Sequence, residues 1–98
     1  MVIITKKRIM DFIHHHPDAS QALWRWYELV KYANWSNFGE MRSAFNSLDA
    51  VGNNRYVFNI KGNHYRLIAM IFFNKRIVFI RFVGTHEEYD SLYDCSLM

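Results

Sequence analysis

The chain has 98 residues, the size of one small domain, and its hydrophobic content of 51%, with 17% aromatic, is ample for a packed core and argues against intrinsic disorder. No apolar run approaches the roughly 20 residues of a membrane span. The net charge is +3, and Cys95 is the only cysteine, which excludes an internal disulfide and fits a reducing compartment.

The first residues, MVIIT, are β-branched and suggest a strand. Their order, a short apolar start followed by Lys6, Lys7 and Arg8, reverses that of a signal peptide, so a cytoplasmic protein is expected. Over residues 5–15, Ile9, Phe12 and Ile13 fall at helical spacing, and Pro17 ends that helix because it lacks an N–H and restricts His16. The next helix shows the clearest period. Ala19, Ala22, Leu23, Trp26, Tyr27, Val30 and Ala33 form one stripe, with Asp18 as the expected N-cap and Trp24 and Arg25 off the stripe. Residues 34–50 read as a connection with one short helix, where Asn37 and Glu40 form a capping box and Phe38, Met41 and Phe45 share a face.

Beyond residue 54 the character changes to strands: Arg55–Ile60, Tyr65–Phe73 and Ile77–Val83. The turns Lys61-Gly62-Asn63 and Asn74-Lys75-Arg76 are short enough for hairpins. The expectation is a single α+β domain over residues 1–98, with an antiparallel sheet of three to four strands and N-terminal helices packed on one face. Thr85 and Glu88 then form a second capping box, which puts His86 and Tyr89 on one helical face.

Period two assigns the faces. Tyr56, Phe58 and Ile60, then Tyr65, Leu67, Ala69 and Ile71, then Val78, Ile80 and Phe82 are expected to pack on the helices. The opposite side takes Arg55, Asn59 and Lys61, then His64 and Arg66, then Arg81, around an apolar floor of Val57, Ile68, Met70, Ile77 and Phe79. Residues 51–84 contain Arg55, Lys61, Arg66, Lys75, Arg76 and Arg81 but no Asp or Glu, so this surface should be cationic and free of carboxylates. Such a surface suits a nucleotide, which has phosphates and stacking bases. A solvated edge protected from aggregation accounts for the same charges.

RNA can be cleaved without metal, because the ribose 2′-hydroxyl attacks the neighbouring phosphate. The protein then moves two protons and stabilises charge on the phosphorane. His86, Tyr89 and His64 are candidates for the proton transfers, and Arg66, Lys61 and Arg81 for the charge. No phosphate loop, dinucleotide glycine pattern or nucleophile elbow is present, and no cofactor is expected. The run His14-His15-His16 is contiguous, so its side chains should fan around a helix end without forming a metal site.

The segments RYVFNIKGNHYRLIAMIFF, IVFIRFVGTHEEYD and WSNFGEMRSAFNSLDAVGN together resemble the HigB-type toxins of bacterial type II toxin–antitoxin systems, which are similar in fold to the RelE mRNA interferases. The resemblance covers almost the whole chain. It implies endonuclease activity on mRNA in the ribosome and arrest of translation. It also implies a small HigA-like antitoxin with a helix-turn-helix domain, through which alone the pair would contact operator DNA. Carried over by position, the element Gly62-Asn-His-Tyr-Arg-Leu67 supplies Asn63 and Arg66, and Thr85-His-Glu-Glu-Tyr-Asp90 supplies His86, Tyr89 and Asp90. The expected catalytic set is Arg66, His86, Tyr89 and Lys61, with Arg55, Asn63, His64 and Arg81 binding RNA. A non-catalytic RNA- or ribosome-binding module would need the same phosphate contacts.

Overall fold

A computed structural model describes residues 1–45 and 47–98. Strand β1 (Val2–Ile4) leads into helix α1 (Lys6–His15) and helix α2 (Ser20–Lys31). Ile9 and Phe12 of α1 and Leu23, Trp26 and Val30 of α2 are buried, as the 3.6-residue period requires. Pro17 opens a single 3₁₀ turn, Pro17–Ala19, between the two helices. Asp18 lies inside that turn and is not the cap of α2, which begins at Ser20 without a side-chain cap. Its carboxylate is engaged elsewhere, by Lys61 and Tyr65. The short helix α3 (Phe38–Arg42) is capped by Asn37, whose Oδ1 accepts from the Glu40 N–H at 2.9 Å. The Glu40 carboxylate reaches back one residue further than a capping box, to the Ser36 N–H.

Among the described residues the sheet has five strands: β1, β2 (Leu48–Gly52), β3 (Arg55–Ile60), β4 (Tyr65–Phe72) and β5 (Ile77–Thr85). Their order is β1-β5-β4-β3-β2. The expected three to four antiparallel strands are thus an undercount, and the sheet is mixed. β1 does form a strand, but parallel to β5, with α1 and α2 following it. β2 was hidden in the segment read as a connection. It pairs antiparallel with β3 across the two-residue turn Asn53-Asn54, whose φ values of 51° and 62° match the hairpin turn type that fits strand twist.

β3, β4 and β5 form the expected meander, with one break. Ala69 pairs with Ile80 and Ile68 with Phe82, leaving Arg81 as an extra, unpaired residue. A bulge reverses the alternation beyond it. Val78 and Ile80 stay in the core, but Val83 is the residue opposite Leu67 and packs against the core, while Phe82 moves to the other face beside Ile68. The expectation that Phe82 packs on the helices is therefore corrected.

Phe58, Leu67, Ala69, Ile71, Val78 and Ile80 from the sheet meet Ile9, Phe12, Leu23, Trp26 and Val30 from the helices in one cluster. Leu67 is fully buried there, so its truncation to Ala should cost about 2–5 kcal/mol. α4 (His86–Asp90) then packs at the end of β4 and β5, and the Cys95–Leu97 turn folds back over β2 and β3.

Candidate functional site

The face of the sheet away from the helices is built in rungs. One rung runs from Asn59 through Arg66 to Gly84, and the next from Asp49 through Val57 and Ile68 to Phe82. Arg66 occupies the middle of the first. Its Nη1 donates to Asn63 O at 3.0 Å and Tyr65 O at 3.2 Å, which uses both hydrogens of that nitrogen. The N–H groups of Nε and Nη2, the parallel fork that binds carboxylate or phosphate, make no bond among the described residues. The guanidinium carbon lies 5.6 Å from the centroid of the Tyr89 ring, within cation–π range. Gly84 completes the rung without a side chain, and a Cβ there would overlap Phe82 Cζ.

The turn before Arg66 brings the second part of the site. Lys61 and Gly62 adopt φ values of 51° and 64°, and His64 Nδ1 lies 2.9 Å from Lys61 O. His64 O accepts the N–H of His86 at 3.1 Å, which joins the turn to the first residue of α4. The capping box at Thr85 forms in full: the Thr85 N–H donates to Glu88 Oε1 at 2.8 Å, and the Glu88 N–H donates to Thr85 Oγ1 at 3.1 Å. It fixes the start of α4, and so the placement of His86. His86 Nδ1 lies 2.8 Å from Asp90 Oδ2, which leaves Nε2 as its other ring nitrogen for a substrate. Asn63, His64, Arg66, His86 and Tyr89 are thereby linked at one end of the sheet.

Other expected members depart from this group. Lys61 is not on the outer face. Its Nζ is paired with Asp18 Oδ2 at 2.9 Å, because the left-handed backbone at 61 turns the side chain toward the helices. Arg55 is on the outer face but bound by its own chain, with Nε donating to Met98 O at 2.8 Å and Nη1 to Asn53 O at 2.9 Å. Arg81 is exposed at the bulge, with no bond to the Arg66 group. Asn59 donates to Ser47 Oγ.

The surface is also neither carboxylate-free nor fully open. Asp49 sits on it through its pairing with Val57, a position that alternation would have shown had β2 been read as a strand. Val57 and Ile68 are buried outside the main core, and the Cys95–Leu97 turn lies against β2 and β3. Tyr89 is half-buried. Burial, a contact of 3.9 Å between its hydroxyl and Cys95 Sγ, and the charge of Asp49 push its pKa above the usual 10.0, against a smaller opposing effect of Arg66. At neutral pH Tyr89 is therefore a protonated phenol, able to donate. The sequence suggests Asp18 only as a helix cap, and no local signal marks its carboxylate as the partner of Lys61 and Tyr65.

The three consecutive histidines do not gather as one group. His16 stacks on Phe12 with ring centroids 4.4 Å apart, while His14 and His15 meet edge to face. Among the described residues, no group of three or more His, Cys, Asp or Glu side chains is arranged to hold a metal ion.

Residues 19–92 match the family model described as HigB_toxin, RelE-like toxic component of a toxin–antitoxin system. The chain is 35% identical over 94 residues to the mRNA interferase HigB of Escherichia coli O6:H1, covering 94% of this chain and 91% of that protein. It is 33% identical over 92 residues to the mRNA interferase toxin HigB of Escherichia coli K12, covering 92% of this chain and 88% of that protein. The mRNA interferase HigB of Shigella flexneri matches to the same extent, 33% over 92 residues.

Proposed function

Because this chain belongs to the HigB family of RelE-like toxins, we propose that it is an mRNA endoribonuclease that acts in the cytoplasm on ribosome-bound messages, without metal, and so inhibits translation. The observation that carries this reading is the free Nε/Nη2 edge of Arg66 beside a protonated Tyr89 and a carboxylate-braced His86.

The Arg66 fork clamps two oxygens of the scissile phosphate and gains in strength as charge develops on the phosphorane. The Asp90 carboxylate favours the tautomer with hydrogen on Nδ1, which leaves His86 Nε2 as a base for the ribose 2′-hydroxyl. The 2′-oxygen bonds to phosphorus and the bond to the 5′-oxygen breaks. Tyr89 returns a proton to that departing oxygen. The products are a 2′,3′-cyclic phosphate and a 5′-hydroxyl. Asn63 and His64 line the approach, and the exposed Arg81 attracts the backbone from the bulge. The ribosome supplies orientation that a small site lacks.

Membership in a toxin–antitoxin family implies an antitoxin partner. We take it to be a small helix-turn-helix protein, through which alone the pair contacts operator DNA. Among the described residues no helix is long and apolar enough to cross a membrane.

A second reading, a module that binds RNA on the ribosome without cutting it, is favoured by one feature: the Tyr89 hydroxyl faces Cys95 beneath the C-terminal segment. Mapping the 5′ ends of mRNA after induction separates the two. New ends in phase with codons support cleavage, and stalled but intact messages support the binding module.

A further inference from the structure

The contacts that seat Arg66 and His86 pass through a single turn. Arg66 Nη1 is bonded to Asn63 O and Tyr65 O, and the His86 N–H to His64 O. Within the turn, Lys61 O accepts the His64 N–H at 3.3 Å and lies 2.9 Å from His64 Nδ1. Residues 61–64 are exposed, and Lys61 adopts a left-handed backbone that non-glycine residues disfavour.

A further tie reaches the turn from the helical side of the sheet. Asp18 Oδ2 accepts from Lys61 Nζ at 2.9 Å and from the Tyr65 hydroxyl at 2.6 Å. One carboxylate oxygen thus grips both ends of the turn. Asp18 is itself well placed to do so. Its neighbour Ala19 is fully buried, the Ala19 N–H donates to His16 O at 3.0 Å, and the rings of Phe12 and His16 pack against Tyr65 with centroids 5.2 and 5.6 Å away.

We propose that Asp18 is a positioning residue for RNA cleavage: by clamping Lys61 and Tyr65, it sets the three carbonyls that aim Arg66 and seat His86. Asp18 touches no substrate, and Lys61 serves as its counter-ion and not as a phosphate ligand. The inference rests on the cleavage reading above. It extends that reading to a residue 43 positions from Lys61 in sequence.

The test is a double-mutant cycle of Asp18→Ala and Lys61→Ala, read as single-turnover cleavage of a defined message on programmed ribosomes. Rates are taken well below each variant's melting midpoint. Asp18→Ala should lower the saturated rate by about 10- to 100-fold, with the half-saturating ribosome concentration unchanged within about twofold. Lys61→Ala should lose a similar factor, and the double variant no more than the larger single loss. An Asp18→Ala rate within about twofold of the unsubstituted chain overturns the proposal. So do losses that multiply in the double variant, since Lys61 would then act on RNA independently. If Asp18→Ala does not fold, Asp18→Leu, which also leaves Lys61 and Tyr65 without that acceptor, is read in the same way. An unsubstituted chain that cuts nothing sinks the cleavage reading instead. In that event the backbone amide resonances of His64 and His86 decide the clamp: shifts in Asp18→Leu support it, and unmoved resonances overturn it.

Discussion

The guanidinium of Arg66 lies over the ring of Tyr89, 5.6 Å from its centroid, with its Nη1 tied to backbone carbonyls and its other two nitrogens unbound among the described residues. A planar, always-charged group held on one edge and stacked on one face presents its remaining fork in a fixed direction. Arg66→Lys should therefore fail almost as badly as Arg66→Ala, because ammonium reproduces neither the fork nor the stack. Both should lower cleavage by about 10²-fold or more, with antitoxin affinity within about twofold. Single-turnover cleavage and titration with the antitoxin check this. Near-normal cleavage by Arg66→Lys would show that a point charge is enough.

Tyr89→Phe separates the ring from the hydroxyl. The ring stays under Arg66, so the fold and RNA affinity should hold, while the rate falls by about 10²-fold if the phenol donates the leaving-group proton. Because burial and Cys95 raise the phenol above 10.0, its loss of proton should not depress the rate of the unsubstituted chain below pH 10. A pH–rate profile of both chains tests it. A Tyr89→Phe variant that cuts at full rate would leave the tyrosine only its stacking role.

The Asp18 carboxyl titrates below its usual 3.8, first because the Tyr65 hydroxyl donates to it and then because Lys61 does. A depressed folded pKa gives stability that is present above the unfolded value and lost as pH falls through the folded one. The melting midpoint should thus drop more steeply below about pH 4 than that of Asp18→Asn, and the two curves should converge in acid. The same bond raises Tyr65 above 10.0, so at the alkaline end its contribution is present below pH 10 and lost above the raised value. Parallel pH curves for the two chains would contradict the linkage.

Gly84 lies under the Phe82 ring, and even a methyl group there would overlap it. Gly84→Ala should cost about 1–3 kcal/mol, and adding Phe82→Leu should recover part of that loss by clearing the space. Urea unfolding of the unsubstituted chain, Gly84→Ala and the double variant measures both. A neutral Gly84→Ala would mean that the ring moves aside freely.

Much of the fold could be read from local pattern because local pattern causes it. Residues 55–83 alternate around two short turns, and α2 repeats its apolar stripe over the whole helix, so the meander and its covering helix were both legible. β2 was not, because Leu48–Gly52 lies at the sheet edge, with Leu48 its only fully buried residue and no alternation to see. The parallel pairing of β1 depends on the far end of the chain. The bulge at Arg81 was illegible for a different reason: Ile80-Arg81-Phe82-Val83 reads as an ordinary strand, and the register with β4 decides which face each residue takes. The site divides in the same way. The linkage among Asn63, Arg66, His86 and Tyr89 follows from two compact motifs at the ends of adjoining strands. The capture of Lys61 by Asp18 and of Arg55 by Met98 joins residues far apart in sequence, each by 43 positions, and no spacing rule reaches them.

In the proposed mechanism the message supplies its own nucleophile, and Arg66, His86 and Tyr89 assist it. A message with a single 2′-deoxynucleotide on the 5′ side of the cleaved bond tests this most directly, on programmed ribosomes with the purified chain. The substituted message should stay intact at that bond, while the all-ribose message yields a 2′,3′-cyclic phosphate and a 5′-hydroxyl. Cleavage of the deoxy-substituted bond at the ordinary rate would contradict it.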